Sequence, residues 1–394
     1  MGMRSLLFVL VLAACGARPA KTTTPPVTQQ PAQDLAVAKA TPPPKGDESS
    51  HLVAKDPRIV DLDIIRITAS SRGVGGEPQL DHVATADLFK QATDAVKAGE
   101  TEKAINLYRR IVTEFPESQF APVCLFNIAA IYDGRADLAA TISTLRELVK
   151  AYPNARESVD GHLYIAALQA DHDQFTEANA TLDEVLARPN LTYADRVEAY
   201  ARKGYVLIEL KKYDAADAAL EAAQAQWRSA NHIDDPYYIA MASYYRGEVA
   251  HRRFLEAPVR LPDDQEVADL EAKRVLAVKA YDDWKEALGY HQAYWATASG
   301  YQMSQIFVEL WEATVKAPYP KKIAEATRAE YIADVHDRVR EHLEKALEGH
   351  RMNIELAKAY GVDTTWSKAS ETRATEVMNM LADDTAGHYV TPTN

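Results

Sequence analysis

From about residue 83 onward, apolar positions recur with a helical period, in segments broken by short turns rich in Gly, Pro and Asp. A helix–turn–helix unit returns about every 34 to 40 residues. Farther along, the period stretches. Residues 237–256 and 265–288 form one longer pair, joined by a turn around Pro258 and Pro262. Residues 294–315 and 323–359 form another, joined through Pro318-Tyr319-Pro320, and Arg340 to Leu347 keeps apolar residues at helical spacing. A last helix is expected over residues 366–381, with a polar, disordered tail over 383–394. Only residues 59–68 show the period-two alternation and β-branching of a strand. A lone strand of this kind either packs locally or pairs with a partner's edge, and local packing or disorder is the favoured outcome. The following Gly73-Val74-Gly75-Gly76 lacks the spacing and the lysine of a phosphate loop, so it is expected to be a flexible joint.

The N-terminal region has a different pattern. Arg4 precedes a short apolar run, Leu6 to Leu12, which is well below the roughly 20 residues that span a bilayer. Next comes Leu12-Ala13-Ala14-Cys15-Gly16, which resembles a bacterial lipobox. The resemblance implies cleavage before Cys15, acylation of its thiol and of the new amine, and hence membrane attachment through acyl chains. Two or more chains give stable anchoring. By analogy with enteric bacteria, Gly16 rather than aspartate points to the outer membrane, facing the periplasm. Residues 15–55 carry Pro25-Pro26, Pro31 and Pro42-Pro43-Pro44 with few apolar groups, and are expected to form a disordered, extended tether. The organisation expected is therefore a signal peptide over 1–14, the tether over 15–55, an extended linker over 56–82, regular repeats over 83–236, longer helical pairs over 237–382 and a tail.

Composition agrees with an all-α chain, because Ala, Leu, Glu and Lys abound and glycine is sparse. A length of 394 residues suits a stack that grows one repeat at a time. The formal net charge of −13 argues against nucleic acid or an anionic membrane surface as the main partner. Two cysteines, Cys15 and Cys124, supply no disulfide framework. Cys124, within Val123-Cys124-Leu125-Phe126, is expected to be a buried small hydrophobe.

Within the repeats, Ala104, Tyr108 and Pro116 stand at offsets of four and eight, and Leu145 and Pro153 keep the offset of eight with Thr141 in the alanine's place. Phe175, Ala178 and Leu182 mark a third unit; Gly204, Tyr213, Ala216 and Leu220 mark a fourth. This pattern resembles the tetratricopeptide repeat, with small residues where paired helices touch and a proline after the second helix. The resemblance implies a helical solenoid, with Ala216 fitting against Gly204. The second half resembles cell-envelope tetratricopeptide proteins of gliding bacteria, including those of adventurous gliding motility. The residues behind this are Arg253-Phe254-Leu255, the run Ile306 to Trp311 leading to Lys316-Ala317-Pro318, and the run Asn353 to Val362 followed by Trp366. That likeness implies a scaffold, not an enzyme.

No catalytic signature accompanies the repeats: H-E-x-x-H, G-x-S-x-G and C-x-x-C are all missing from the sequence. His336 and His342, six apart, project to different sides of one helix. Asp171-His172-Asp173 falls where an inter-helix turn is expected. Neither a metal nor a cofactor is expected. In tetratricopeptide solenoids the first helix of each unit lines a groove, and counting from the matched positions places Phe89, Phe126, Tyr205, Tyr244 and Tyr301 there, with Arg202 and Asn127 beside them. Aromatic rings with few charges favour an extended or helical apolar segment of another envelope protein as ligand. The leading expectation is a lipid-anchored periplasmic scaffold that assembles an envelope complex. The alternative is a helical protein that binds or processes peptidoglycan.

Overall fold

The structure is a computed structural model, and it describes residues 65–70 and 79–392. Cys15, the Pro-rich segment, residues 59–64 and residues 73–76 lie outside the described residues. The chain divides into two compact units, one ending at Asn190 and the other beginning at Leu191.

The first unit opens with two strands, β1 (Ile65–Ser70) and β2 (Gln79–Ala84), paired antiparallel with Ile65 opposite Ala84 and Ser70 opposite Gln79. The expected strand is thus not alone. Val83, near which the repeats are expected to start, lies within β2, and α1 begins at Thr85. Six helices follow: α1 (Thr85–Lys97), α2 (Thr101–Glu114), α3 (Phe120–Asp133), α4 (Leu138–Ala151), α5 (Arg156–Asp171) and α6 (Phe175–Leu186). They form three antiparallel pairs. Leu88, Ala92 and Ala95 of α1 meet Ala104, Tyr108 and Ile111 of α2, both sets at helical spacing, and Cys124 and Ile128 of α3 complete the cluster. The second cluster joins Leu125 and Ala129 of α3 to Leu145 and Leu148 of α4 and Ile165 and Leu168 of α5. Helix α3 therefore buries two faces, which is why its apolar residues run almost continuously from Ala121 to Ile131.

Helix ends follow from local chemistry. Phe115 and Tyr152 leave the helical region before Pro116 and Pro153, as the steric demand of a following proline requires. Thr141, which replaces the expected alanine, is fully buried, and its hydroxyl donates to the Asp137 carbonyl at 2.8 Å, so a polar atom is accommodated at a small-residue position. The turn within each of these three pairs, and within the next pair along the chain, contains one left-handed residue. Gly99, Ala136, Asp173 and Lys211 have φ between 56° and 76° and stand 37 or 38 residues apart. Asp171-His172-Asp173 is one of these turns.

The second unit contains α7 (Tyr193–Glu209), α8 (Tyr213–Ser229), α9 (Tyr237–Glu256), α10 (Asp263–Gly289), α11 (Ala293–Val315), a 3-10 turn at Glu325–Thr327, α12 (Arg328–Tyr360) and α13 (Thr365–Thr385). Helices α7/α8, α9/α10 and α11/α12 pair, α9 packs on α7 and α11, and α13 lies on α11 and α12. Gly204 of α7 faces Leu220 of α8, and Gly247 of α9 faces Trp284 of α10; a Cβ on Gly247 would lie 2.4 Å from Trp284 Nε1. The nearest neighbour of Gly204 is thus Leu220, one helical turn beyond Ala216, which is also fully buried. The C-terminal residues also depart from a polar tail over 383–394: α13 continues to Thr385, Asp384 is buried, and Tyr389 returns to meet α12. Among the described residues no helix is long and apolar enough to cross a membrane.

Candidate protein-binding face

In the second unit the first helix of each pair is marked by aromatic residues seven apart, which fall on one side of a helix. Tyr237 and Tyr244, and Tyr238 and Tyr245, are so spaced on α9, as are Tyr294 and Tyr301 on α11. Because α9 packs between α7 and α11, these rings meet across helices. Tyr205 of α7 lies 5.0 Å from Tyr245 of α9 between ring centroids, and Tyr245 lies 5.7 Å from Trp295 of α11. Tyr237 and Tyr294 flank Trp295 at 5.6 and 5.0 Å in edge-on geometry. Tyr244 of α9 carries the series from Trp295, at 5.2 Å, to Trp366 of α13, at 6.2 Å, and Tyr301 of α11 meets Trp366 at 5.5 Å. The result is a run of rings across α7, α9, α11 and α13, with the offset and T-shaped arrangements that aromatic quadrupoles favour.

The run has a buried floor and a partly exposed surface. Trp295 and Tyr244 are almost wholly enclosed, at 5 % and 4 % exposure. Tyr205, Tyr237, Tyr245, Tyr301 and Trp366 are half-buried, and Tyr294 is exposed. Burial pushes the Tyr237 and Tyr301 phenols up, so both remain neutral hydroxyls near pH 7. Beside Tyr237 stands a charged anchor. Arg202 Nε donates to Glu198 Oε1 at 2.8 Å, its Nη2 donates to the Tyr238 hydroxyl at 2.8 Å, and its guanidinium lies over the Tyr238 ring at 5.2 Å. Burial alone would weaken the charged form of Arg202, and the Glu198 carboxylate and the Tyr238 hydroxyl together more than offset it.

The residues expected from the sequence divide into three outcomes. Arg202, Tyr205 and Tyr301 belong to this face and keep part of their surface. Tyr244 and Asn127 do not remain accessible. Tyr244 is a floor residue whose hydroxyl accepts from Gln302 Nε2 at 3.3 Å, and Asn127, 1 % exposed, hydrogen-bonds Tyr108 within the first unit's core. Both were placed by counting helical positions, and counting cannot tell which of two adjacent helices covers a side chain. Phe89 and Phe126 are half-buried in the first unit. Phe89 stacks on Phe120 at 4.9 Å, and Phe126 lies 6.2 Å from Tyr164. Tyr245, Trp295 and Trp366 were not anticipated. The seven-residue spacing of the tyrosine pairs was visible in the sequence and would have found Tyr245.

The two histidines considered together, His336 and His342, do separate. His336 meets Asp384, while His342 Nδ1 lies 3.1 Å from the Val339 carbonyl. Cys124 is fully buried, and burial pushes its thiol up.

Residues 79–236 match the family model described as a tetratricopeptide repeat-like domain. This interval covers the four units marked by the recurring left-handed residues. Comparison with curated proteins gave no match. Among solved structures, the chain is similar to MamA from residue 41 onward of Desulfovibrio magneticus, with 21% identity over 59% of this chain and 96% of that one, and a TM-score of 0.33. It is similar to a tetratricopeptide repeat protein of Parabacteroides merdae, with 11% identity over 76% of this chain and 98% of that one, at a TM-score of 0.34. It is also similar to the C-terminal part of a tetratricopeptide repeat-containing protein of Cytophaga hutchinsonii, with 11% identity, the same two coverages and a TM-score of 0.39.

Proposed function

We propose that this protein is a lipid-anchored, non-catalytic scaffold of the bacterial cell envelope, which binds a partner protein on the aromatic face of α7, α9, α11 and α13. The observation that carries the binding role is the unbroken run of rings from Tyr205 to Trp366. Partly exposed tyrosines and a tryptophan over a packed floor offer large contact area at low entropic cost, and such residues dominate binding energy in protein interfaces. Arg202, held by Glu198 and Tyr238, supplies a pre-set polar contact at one side. An extended or helical apolar segment fits this chemistry.

The anchor and the compartment rest on the sequence. The lipobox-like Leu12 to Gly16 supports acylation of Cys15, and Gly16 supports the outer membrane, periplasmic side. Service in a gliding-type envelope machine rests on the likeness of the second half of the chain to such proteins.

The test is capture of partners from envelope extracts by the full-length anchored protein, with quantification against Tyr205→Ala and Tyr301→Ala. Met352, exposed on α12, provides the control substitution Met352→Ala. Loss of a ring at a binding hot spot costs about 2 kcal/mol or more, or about 30-fold in affinity. Recovery of one reproducible protein by the unsubstituted chain and by Met352→Ala, with its loss from both tyrosine variants, supports the proposal. Equal recovery by all four rejects the aromatic face. Retention on purified sacculi with no protein partner supports the peptidoglycan reading instead. Absence of radiolabelled palmitate from Cys15→Ser alone, with label on the unsubstituted chain, tests the anchor.

A further inference from the structure

The last residues of the chain fold back onto α12 at a buried histidine. Helix α13 stops at Thr385, and Gly387, with φ of +82°, reverses the backbone through hydrogen bonds from its N–H to the Asp384 carbonyl and from the His388 N–H to the Asp383 carbonyl, at 3.1 and 2.9 Å. Residues 385–388 are exposed, whereas Tyr389 turns inward and lays its ring against His336 at 4.5 Å between centroids, 33° from parallel. His336 also meets Trp311 from α11 in T-shaped geometry, at 5.6 Å and 79°. His336 is 1 % exposed.

Both nitrogens of this ring meet acceptors. Nδ1 bonds Asp384 Oδ2, and Nε2 lies 2.9 Å from the Val390 carbonyl oxygen. A carboxylate and a carbonyl offer no proton to share. A neutral imidazole carries one N–H, so in either tautomer it leaves a ring lone pair directed at an oxygen. Only the imidazolium, with two N–H groups, satisfies both contacts. We propose that residues 387–390 form a proton-controlled strap: it is closed while His336 donates to both Asp384 and Val390, and it is released when His336 loses a proton. Release removes the hydrogen bond to Val390 and the positive charge beneath Tyr389.

The charged groups around the ring set the sign. From α13, the Asp384 carboxylate favours the imidazolium. From α12, Arg340 opposes it, because its Nε donates to Asp384 Oδ1 at 2.7 Å and so competes for the same carboxylate. Asp337 holds the Arg340 Nη2 at 2.8 Å and partly neutralises it. The strap itself contributes His388, paired with Asp383 at 3.5 Å, and the Tyr389 ring. Helix α11 contributes the uncharged Trp311. Stability of the closed strap therefore falls as pH rises, by up to about tenfold per pH unit for a single proton.

The experiment follows the Tyr389 ring resonance in the full chain by NMR with labelled tyrosine rings, the signal being assigned by its loss in Tyr389→Leu. At pH 5.5 a single ring-shifted resonance is expected, moving to its free-tyrosine position as the pH is raised to 9. In His336→Gln, where one amide end donates and the other accepts, the resonance is expected at the free position throughout. Arg340→Gln, a substitution at a partly exposed side chain, is expected to move the midpoint of release upward, because Asp384 then faces His336 alone. A Tyr389 shift that stays constant from pH 5.5 to 9 in the unsubstituted chain overturns the proposal. So does an Arg340→Gln midpoint that stays in place or falls, and this variant remains decisive if His336→Gln does not fold.

Discussion

A Cβ on Gly204 would lie 2.2 Å from Leu220 Cδ2 and 2.4 Å from its Cγ. Helices α7 and α8 thus cross where nothing larger than hydrogen fits. Leu220 is fully buried, so its side chain has little room to retreat. Gly204→Ala is expected to overpack this crossing by about 1–3 kcal/mol, offset in part by the better helix propensity of alanine, about 1 kcal/mol. A net loss of about 1 kcal/mol is the outcome to check by urea unfolding. Because the two residues touch, Gly204→Ala with Leu220→Ala is expected to cost less than the two single substitutions added, whereas additive losses would show that the helices do not meet there.

Thr192 and Asp195 close a reciprocal cap on α7, with Asp195 N–H to Thr192 Oγ1 at 3.1 Å and Thr192 N–H to Asp195 Oδ2 at 2.9 Å. These bonds satisfy two backbone donors that the first helical turn leaves open. Thr192→Ala is expected to lower stability by about 1 kcal/mol, with little change in helix content by circular dichroism. Thr192→Ser, which retains the oxygen, is expected to recover most of it.

Two buried histidines shape the pH dependence in opposite directions. Burial alone would favour neutral His251, but Glu248 and Glu309 outweigh it and push the ring up to about 9, with Nε2 to Glu309 Oε2 at 2.6 Å. His350 is lowered to about 4, first by burial and then by Arg373. The unfolded reference is about 6.5. His251 therefore contributes stability that is complete below that reference and is lost as pH rises from about 6.5 to about 9. His350 contributes stability that is complete above the reference and is lost as pH falls from about 6.5 towards about 4. Urea midpoints are expected to be highest near pH 6.5. Glu309→Gln is expected to lower the midpoint at pH 6.5 and to flatten the alkaline limb; an alkaline limb as steep as that of the unsubstituted chain would contradict the role of this ion pair.

Cys124 sits among Tyr108, Ile128 and Ile131 at zero exposure, with its thiol pushed up by burial. A thiol that is both covered and protonated reacts slowly. Peptide mapping after treatment with a thiol reagent is expected to show Cys124 unlabelled in the folded chain and labelled in urea. Labelling at equal rates in both conditions would mean that α3 opens readily.

The repeat architecture was legible because it is local. A 3.6-residue period, small residues where helices meet and the prolines after α2 and α4 are written in neighbouring positions, and Ala104 and Tyr108 are buried on α2 with Pro116 just beyond it. The hairpin was half legible. The apolar alternation of β1 was visible, but β2 is the polar run Gln79-Leu80-Asp81-His82, which has strand conformation only because β1 pairs with it.

By itself, then, the sequence determined the secondary structure of the repeats, the buried state of Cys124 and the absence of a recognisable catalytic signature. Tertiary structure decided which side of each helix is covered. Tyr244 and Tyr245 are neighbours in sequence on α9 and both meet Trp295 of α11, yet Tyr244 went to the floor of the aromatic face and Tyr245 to its surface. Tertiary structure also turned a polar C-terminal segment into a folded one. Asp384 and Tyr389 have no apolar period to announce them, and their place depends on His336, 48 residues upstream of Asp384, whose two ring nitrogens need the acceptors that only the returning chain provides. Local periodicity is a property of neighbouring residues, whereas burial depends on what the rest of the chain places on top.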